Sequence, residues 1–249
     1  MDKKLIKAYF LIMHCILIAL LFKTDMLKSL LNSIGITHPP EISQTYKDMV
    51  GFHSRVDQNL DPGAAIFIGD SLVQGLAVSA VSPHGVNYGI GHDTTYGVLT
   101  RLEKYRSIRF AKVVMISVGI NDLKRRDPDE AINNYRKILM LVPKNIQVIV
   151  NAVLPIDEKV KQARGRTNKR VKELNVKLEA LVKKHANAVF LDISRQLKDR
   201  GSDLAAKYHI GDGVHLNSKG YQVWITALKQ EINKLPSRHE LFPESAGLQ

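Results

Sequence analysis

Five short apolar runs limit what this chain can fold into: Ala64 to Ile68, a weaker stretch at Val86-Asn87-Tyr88, Ala111 to Val118, Ile146 to Val153 and Ala188 to Ile193. Longer segments of helical periodicity alternate with them: Leu72 to Ser79, Thr95 to Tyr105, Pro128 to Leu141, Thr167 to His185 and Ser218 to Leu235. A strand that is apolar on both faces must be covered on both faces, and strands separated by helices pair in parallel. The expected fold class is therefore α/β, a three-layer α/β/α sandwich with about five parallel strands. In such sheets ligands bind outside the C-terminal strand ends, so the loops that follow the strands are where chemistry is sought.

Composition narrows the setting. At 249 residues and 45% apolar, the chain can build one full α/β core and an appendage. A formal charge of +12 favours an anionic environment, but only 6% of residues are aromatic and no reading motif interleaves them with the basic residues, so nucleic acid is not expected as a partner. The single Cys15 excludes an intramolecular disulfide and a cysteine-based metal site. His14, His38, His53, His84, His185, His209 and His239 show no ligand spacing, so neither metal nor cofactor is expected.

Lys3, Lys4 and Lys7 precede an uncharged apolar run from Ala8 to Phe22, and no small-residue cleavage site closely follows it. Residues 1–23 are expected to form an uncleaved signal anchor that meets the membrane through residues 8–22, with the remainder outside the cytoplasm. Cleavage and secretion are the alternative. Residues 24–61 read as a juxtamembrane stalk, with Pro39-Pro40 breaking any helix that begins near Met26 and a short helix near Tyr46 to Leu60. The folded domain is expected over 62–236 and a tail over 237–249.

Three loops then carry candidate groups. Gly69-Asp70-Ser71 places a hydroxyl where the first strand passes into a helix, although a serine there serves equally well as a helix cap. After the second strand come Gly89-Ile90-Gly91-His92-Asp93, and after the third Gly119-Ile120-Asn121-Asp122. Near the C-terminus, Asp212 and His215 stand three apart in a loop. That spacing lets a carboxylate orient an imidazole as a general base.

In this order, Gly69-Asp70-Ser71-Leu72, the glycine block, Gly119-x-Asn121-Asp122 and Asp212-x-x-His215 resemble the SGNH or GDSL superfamily of serine esterases and lipases. The stretch Asn87 to Thr95 is similar to the platelet-activating-factor acetylhydrolase branch. The resemblance implies a flavodoxin-like hydrolase fold in which Ser71 is the nucleophile, His215 the base and Asp212 the residue orienting it. It also implies an oxyanion hole made of the Ser71 N–H, a backbone N–H of the Gly91-His92 pair and the Asn121 amide. His92 falls where close relatives carry the oxyanion glycine, and His92 and Asp122 are candidate substrate contacts.

The function expected is a membrane-anchored, extracytoplasmic serine ester hydrolase acting on a small-molecule, lipid or polysaccharide ester. An acyltransferase acting on an envelope polysaccharide, or a catalytically idle binding module, would use the same scaffold. The basic stretch Lys159 to Lys172 follows the fourth strand and is expected near the rim of the site, either as a solvated face or as a recruiter of anionic groups.

Overall fold

A computed structural model describes residues 3–23, 41–163 and 165–235, excepting the side chains of 20–23 and 162. Of the stalk expected over 24–61, residues 24–40 lie outside the described residues, as does the tail expected over 237–249. By its contacts the chain divides into two units, Met1–Pro40 and Glu41–Gln249.

The first unit contains helix α1 (Lys3–Lys23), 21 residues long. Among the described residues, no helix is long and apolar enough to cross a membrane, so the expected span is not found there.

The second unit opens with helix α2 (Gln44–Asp57), capped by Ser43, whose hydroxyl accepts from the Tyr46 N–H. This is the helix expected between Tyr46 and Leu60. It packs as part of the folded unit, with Tyr46, Val50, His53 and Asp57 buried and the Tyr46 hydroxyl donating to the Gly97 carbonyl at 2.7 Å.

Five strands follow: β1 (Ala65–Gly69), β2 (Gly85–Gly89), β3 (Val113–Ser117), β4 (Gln147–Asn151) and β5 (Ala188–Leu191). All pair in parallel, in the order β2-β1-β3-β4-β5. The helices between and after them are α3 (Ser71–Gln74), α4 (Thr95–Leu102), α5 (Pro128–Leu141), α6 (Asn168–Val182), α7 (Ser194–Leu197) and α8 (Ser218–Asn233).

Alternation along each strand divides the core in two. Ile66, Ile68, Val114 and Ile116 face one layer with Val98, Leu102, Ile138, Leu174 and Leu178 of α4, α5 and α6. Ala65, Phe67, Val113 and Met115 face the other with Leu72, Val73, Trp224, Leu228 and Ile232 of α3 and α8. Because β2 and β3 lie on opposite sides of β1, the chain leaves β1 and β3 at a switch point, where the C-terminal strand ends open a crevice.

One element is shorter than expected. The helix read over Leu72 to Ser79 stops at Gln74, and a separate 3-10 turn covers Val78–Ala80. Asn87 in β2 explains the stop. Its side-chain amide donates to the carbonyls of Val73 and Leu76 at 2.8 and 3.0 Å, taking acceptors that a continuing helix would use.

Candidate active site

Gly69 ends β1 against the neighbouring strand. A Cβ there would lie 1.9 Å from the Ser117 carbonyl oxygen, so only glycine permits this approach of β1 to β3. Asp70 then caps α3, one oxygen accepting the Leu72 N–H at 2.9 Å. Ser71 becomes the first helical residue at the crevice, half-buried. Its N–H has no intrahelical acceptor and none among the described residues.

The imidazole arrives from the far end of the chain. Ser71 Oγ lies 2.9 Å from His215 Nε2, and His215 Nδ1 lies 2.5 Å from Asp212 Oδ2. The other Asp212 oxygen accepts the backbone N–H groups of Val214 and His215, each at 2.9 Å. Burial alone would raise the Asp212 carboxyl, but the hydrogen bonds from the His215 ring and the two backbone donors outweigh it and hold the group below the ordinary value. A carboxylate ionised in this way accepts the Nδ1 proton of His215 and leaves Nε2 free to accept one from Ser71.

The loop carrying that pair is built on His209, which is buried. Its Nδ1 accepts the N–H groups of Gly211 and Gly213 at 3.0 and 3.2 Å, so the ring proton sits on Nε2. Among the described residues Nε2 has no hydrogen-bond partner; the Asp157 carboxylate stands 3.4 Å from it, within ion-pair range but too far for a well-formed bond. Gly211 and Gly213 both adopt positive φ, at 101° and 75°, which lets the chain wrap around the ring.

The glycine block after β2 turns back over the same crevice. Ile90 donates to the Gly69 carbonyl and accepts from Asp93, with His92 at φ 63°, the one non-glycine residue described in the left-handed region. Histidine is among the side chains that enter this region more readily, so His92 is compatible with the turn. The N–H groups of Gly91 and His92 have no acceptor among the described residues, and the imidazole of His92 is exposed. Beneath the turn, Arg101 is fully buried. It bonds the Asp93 carboxylate at 2.9 Å and the Gly69 carbonyl at 3.1 Å, tying this block to β1.

Asn121 completes the ring of donors. Its Nδ2 donates to the Asp93 carbonyl at 3.0 Å, and its Oδ1 accepts from Arg166 Nη2 at 2.8 Å. These two bonds fix which end of the amide is oxygen and leave one amide hydrogen without a protein acceptor among the described residues. Arg166 is itself held, with Nε donating to the Ile120 carbonyl at 3.0 Å. Unengaged donors on Ser71, the Gly91-His92 pair and Asn121 form the kind of set that stabilises an oxyanion.

Asp122 requires a correction. Expected to contact substrate, it is fully buried; its carboxylate takes the Thr95 N–H at 2.9 Å and the Thr95 hydroxyl and Arg126 Nη1 at 2.5 Å each. It anchors the start of α4 instead. Among the described residues no group of three or more His, Cys, Asp or Glu side chains is placed to hold a metal ion.

The model of the GDSL-like lipase/acylhydrolase family matches residues 67–223. The chain belongs to this family. As a GDSL-like member of the SGNH superfamily it is an esterase or acylhydrolase. It is 31% identical over 218 residues to the platelet-activating factor acetylhydrolase IB subunit alpha2 of Rattus norvegicus, covering 82% of this chain and 92% of that one. Among solved structures, one from Streptococcus pneumonia described as a platelet activating factor superposes with a TM-score of 0.73 at 22% identity, covering 84% and 99% of the two chains. A GDSL-like lipase from Bacteroides thetaiotaomicron gives a TM-score of 0.63 at 22% identity, covering 74% and 97%.

Two residues of this GDSL-like site escape a reading of the sequence. Arg166 is hidden in a basic stretch where, among the described basic residues, Lys159, Lys161, Lys169 and Lys172 are exposed while Arg166 and Arg170 are half-buried. His209 lacks a partner at any motif spacing. The glycines two and four residues after it were its sole signal.

Proposed function

We propose that this GDSL-like protein hydrolyses carboxylic esters by a serine mechanism. Ser71 Oγ attacks the acyl carbonyl while His215 Nε2 takes its proton, and Asp212 stabilises the imidazolium that forms. The N–H groups of Ser71 and of Gly91 or His92, with the Asn121 amide, receive the developing oxyanion. His215 then returns the proton to the departing alcohol. Water, deprotonated by the same ring, releases the acyl group and frees Ser71. The observation that carries this reading is the unbroken chain of contacts Ser71–His215–Asp212, assembled from loops 144 residues apart. Similarity to the acetylhydrolase IB subunits supports a short acyl group, acetyl above all.

Hydrolysis of short- and long-chain p-nitrophenyl esters by wild type and Ser71→Ala tests it. Loss of turnover in Ser71→Ala with a preference for acetate is the expected result, and retained turnover would overturn the serine mechanism.

The setting proposed is the extracytoplasmic face of a membrane, with attachment through residues 8–22. Support comes from the order of Lys3, Lys4 and Lys7 before the apolar run, within a segment that is helical from Lys3 to Lys23. Membrane fractionation followed by N-terminal sequencing tests this. A soluble mature chain starting near residue 25 to 36 would replace attachment with secretion.

A further inference from the structure

Buried charges in proteins are ordinarily paired, and two of the arginines around this site obey that rule. Arg101 meets Asp93 at 2.9 Å, and Arg126 meets Glu41, Asp122 and Glu130 at 2.6, 2.5 and 3.1 Å. Arg166 does not. Its partners are neutral oxygens, the Ile120 carbonyl and the Asn121 amide, and among the described residues no carboxylate touches it and no acceptor engages Nη1. The bond to Asn121 sets the guanidinium beside the oxyanion donors, and burial holds it below its ordinary value although the Asp70 and Asp212 carboxylates favour its charge.

A second cation lies alongside. The Lys124 stem runs over Gly165, whose added Cβ would stand 3.5 Å from Lys124 Cε. Among the described residues Lys124, exposed at the surface, too has no carboxylate partner, and partial burial of its stem, then the Arg166 charge, hold its ammonium below the ordinary value. Arg170 extends the same pattern, donating to the carbonyls of Leu123 and Arg126. Two neighbouring like charges, neither of them touching a carboxylate and both close to an amide that receives an oxyanion, form a place where an anionic group of a ligand can bind.

We infer that Arg166 Nη1 and Lys124 Nζ form an anion subsite beside the oxyanion hole, and that the preferred ester carries a carboxylate or phosphate on its acyl or its alcohol portion. The inference rests on the ester-hydrolase reading and deepens it, since the cations select among esters and Ser71 acts on whichever is bound.

Two matched pairs separate the possibilities in the full chain. 4-Acetoxybenzoate against methyl 4-acetoxybenzoate places a charge on the alcohol side, and monomethyl adipate against methyl hexanoate places it on the acyl side. At about 0.05 M salt the charged member of at least one pair is expected to have kcat/KM about ten-fold above its neutral counterpart. That ratio is expected to collapse toward unity at about 0.5 M salt and in Lys124→Gln.

Charged members that are no better in either pair, or a preference untouched by both salt and Lys124→Gln, would overturn the subsite. Turnover that survives Ser71→Ala would instead overturn the serine mechanism. If no ester is turned over, calorimetric titration of Ser71→Ala with 4-acetoxybenzoate reads the subsite directly. Binding that weakens in Lys124→Gln supports it, and absence of binding refutes it.

Discussion

A side-chain amide is a useful oxyanion donor only if its N–H end faces the reacting carbonyl, and here two fixed partners decide which end that is. With the Asp93 carbonyl on Nδ2 and Arg166 on Oδ1, the Asn121 amide cannot flip without breaking both bonds. Asn121→Ala is expected to lower kcat by roughly 10²–10³-fold, the effect of removing one such donor. Arg166→Met should lower kcat less, by about 10-fold, while a neutral ester keeps its KM, because orientation is loosened but the amide remains. Steady-state kinetics on p-nitrophenyl acetate check both, and a change confined to KM would contradict the positioning role. Asp70 supplies a prediction of a different kind. Burial first, then the nearby Asp93 and Asp122 carboxylates, push its carboxyl up to about 7 from an ordinary 3.8. A group with a raised folded pKa binds its proton more tightly when folded, so this group adds stability as pH falls from about 7 toward 4 and costs stability above 7. Asp70→Asn keeps an oxygen for the Leu72 N–H and is expected to melt higher than wild type at about pH 8, with a flatter rise between pH 8 and 6. Thermal melts across that range decide it, and an unchanged slope would contradict the assignment.

At the scale of elements, the loop of residues 209–217 behaves as a bracket hung on one ring. His209 gathers the Gly211 and Gly213 N–H groups, and Asp212 gathers those of Val214 and His215, so nearly all of the loop's geometry is specified by two side chains. His209→Phe fills the space but removes the acceptor. It is expected to lower kcat about 10-fold or more, with partial recovery in His209→Asn, whose Oδ1 replaces Nδ1. Equal losses in the two variants would show that packing and not the hydrogen bonds sets the loop. This loop also illustrates what the sequence made legible. Asp212 and His215 were readable because their roles follow from residue type and spacing in the chain. The strands were readable because continuous apolar runs admit few alternatives. Arg166, His209 and the early end of α3 were not, since each depends on a partner brought close only by the fold: Asn121 is 45 residues from Arg166, and Asn87 is 14 from Val73. Asp122 was misread for the same reason. An acid next to Asn121 looks available until the start of α4 is seen to occupy it.

For the molecule as a whole, the two units separate the site from the proposed attachment. The Glu41–Gln249 unit holds both layers of the core and every residue of the site. Its activity on a water-soluble ester should therefore be independent of α1. The chain begun at Glu41 is expected to match the full chain in kcat/KM on p-nitrophenyl acetate, while only the full chain sediments with phospholipid vesicles. Co-sedimentation and parallel assays check this, and vesicle binding by the shortened chain would move the attachment to the net positive charge that the Glu41–Gln249 unit keeps.

The order in which the site is encoded has its own consequence. The hydroxyl follows the first strand of the sheet, and the ring proposed to activate it belongs to the loop before α8. On the proposed mechanism, the emerging chain is expected to carry an inert serine until almost the whole domain has left the ribosome. Hydrolysis is then expected only once the fold is complete, and a polypeptide cut short before Gly211 is expected to hold the proposed nucleophile without its base.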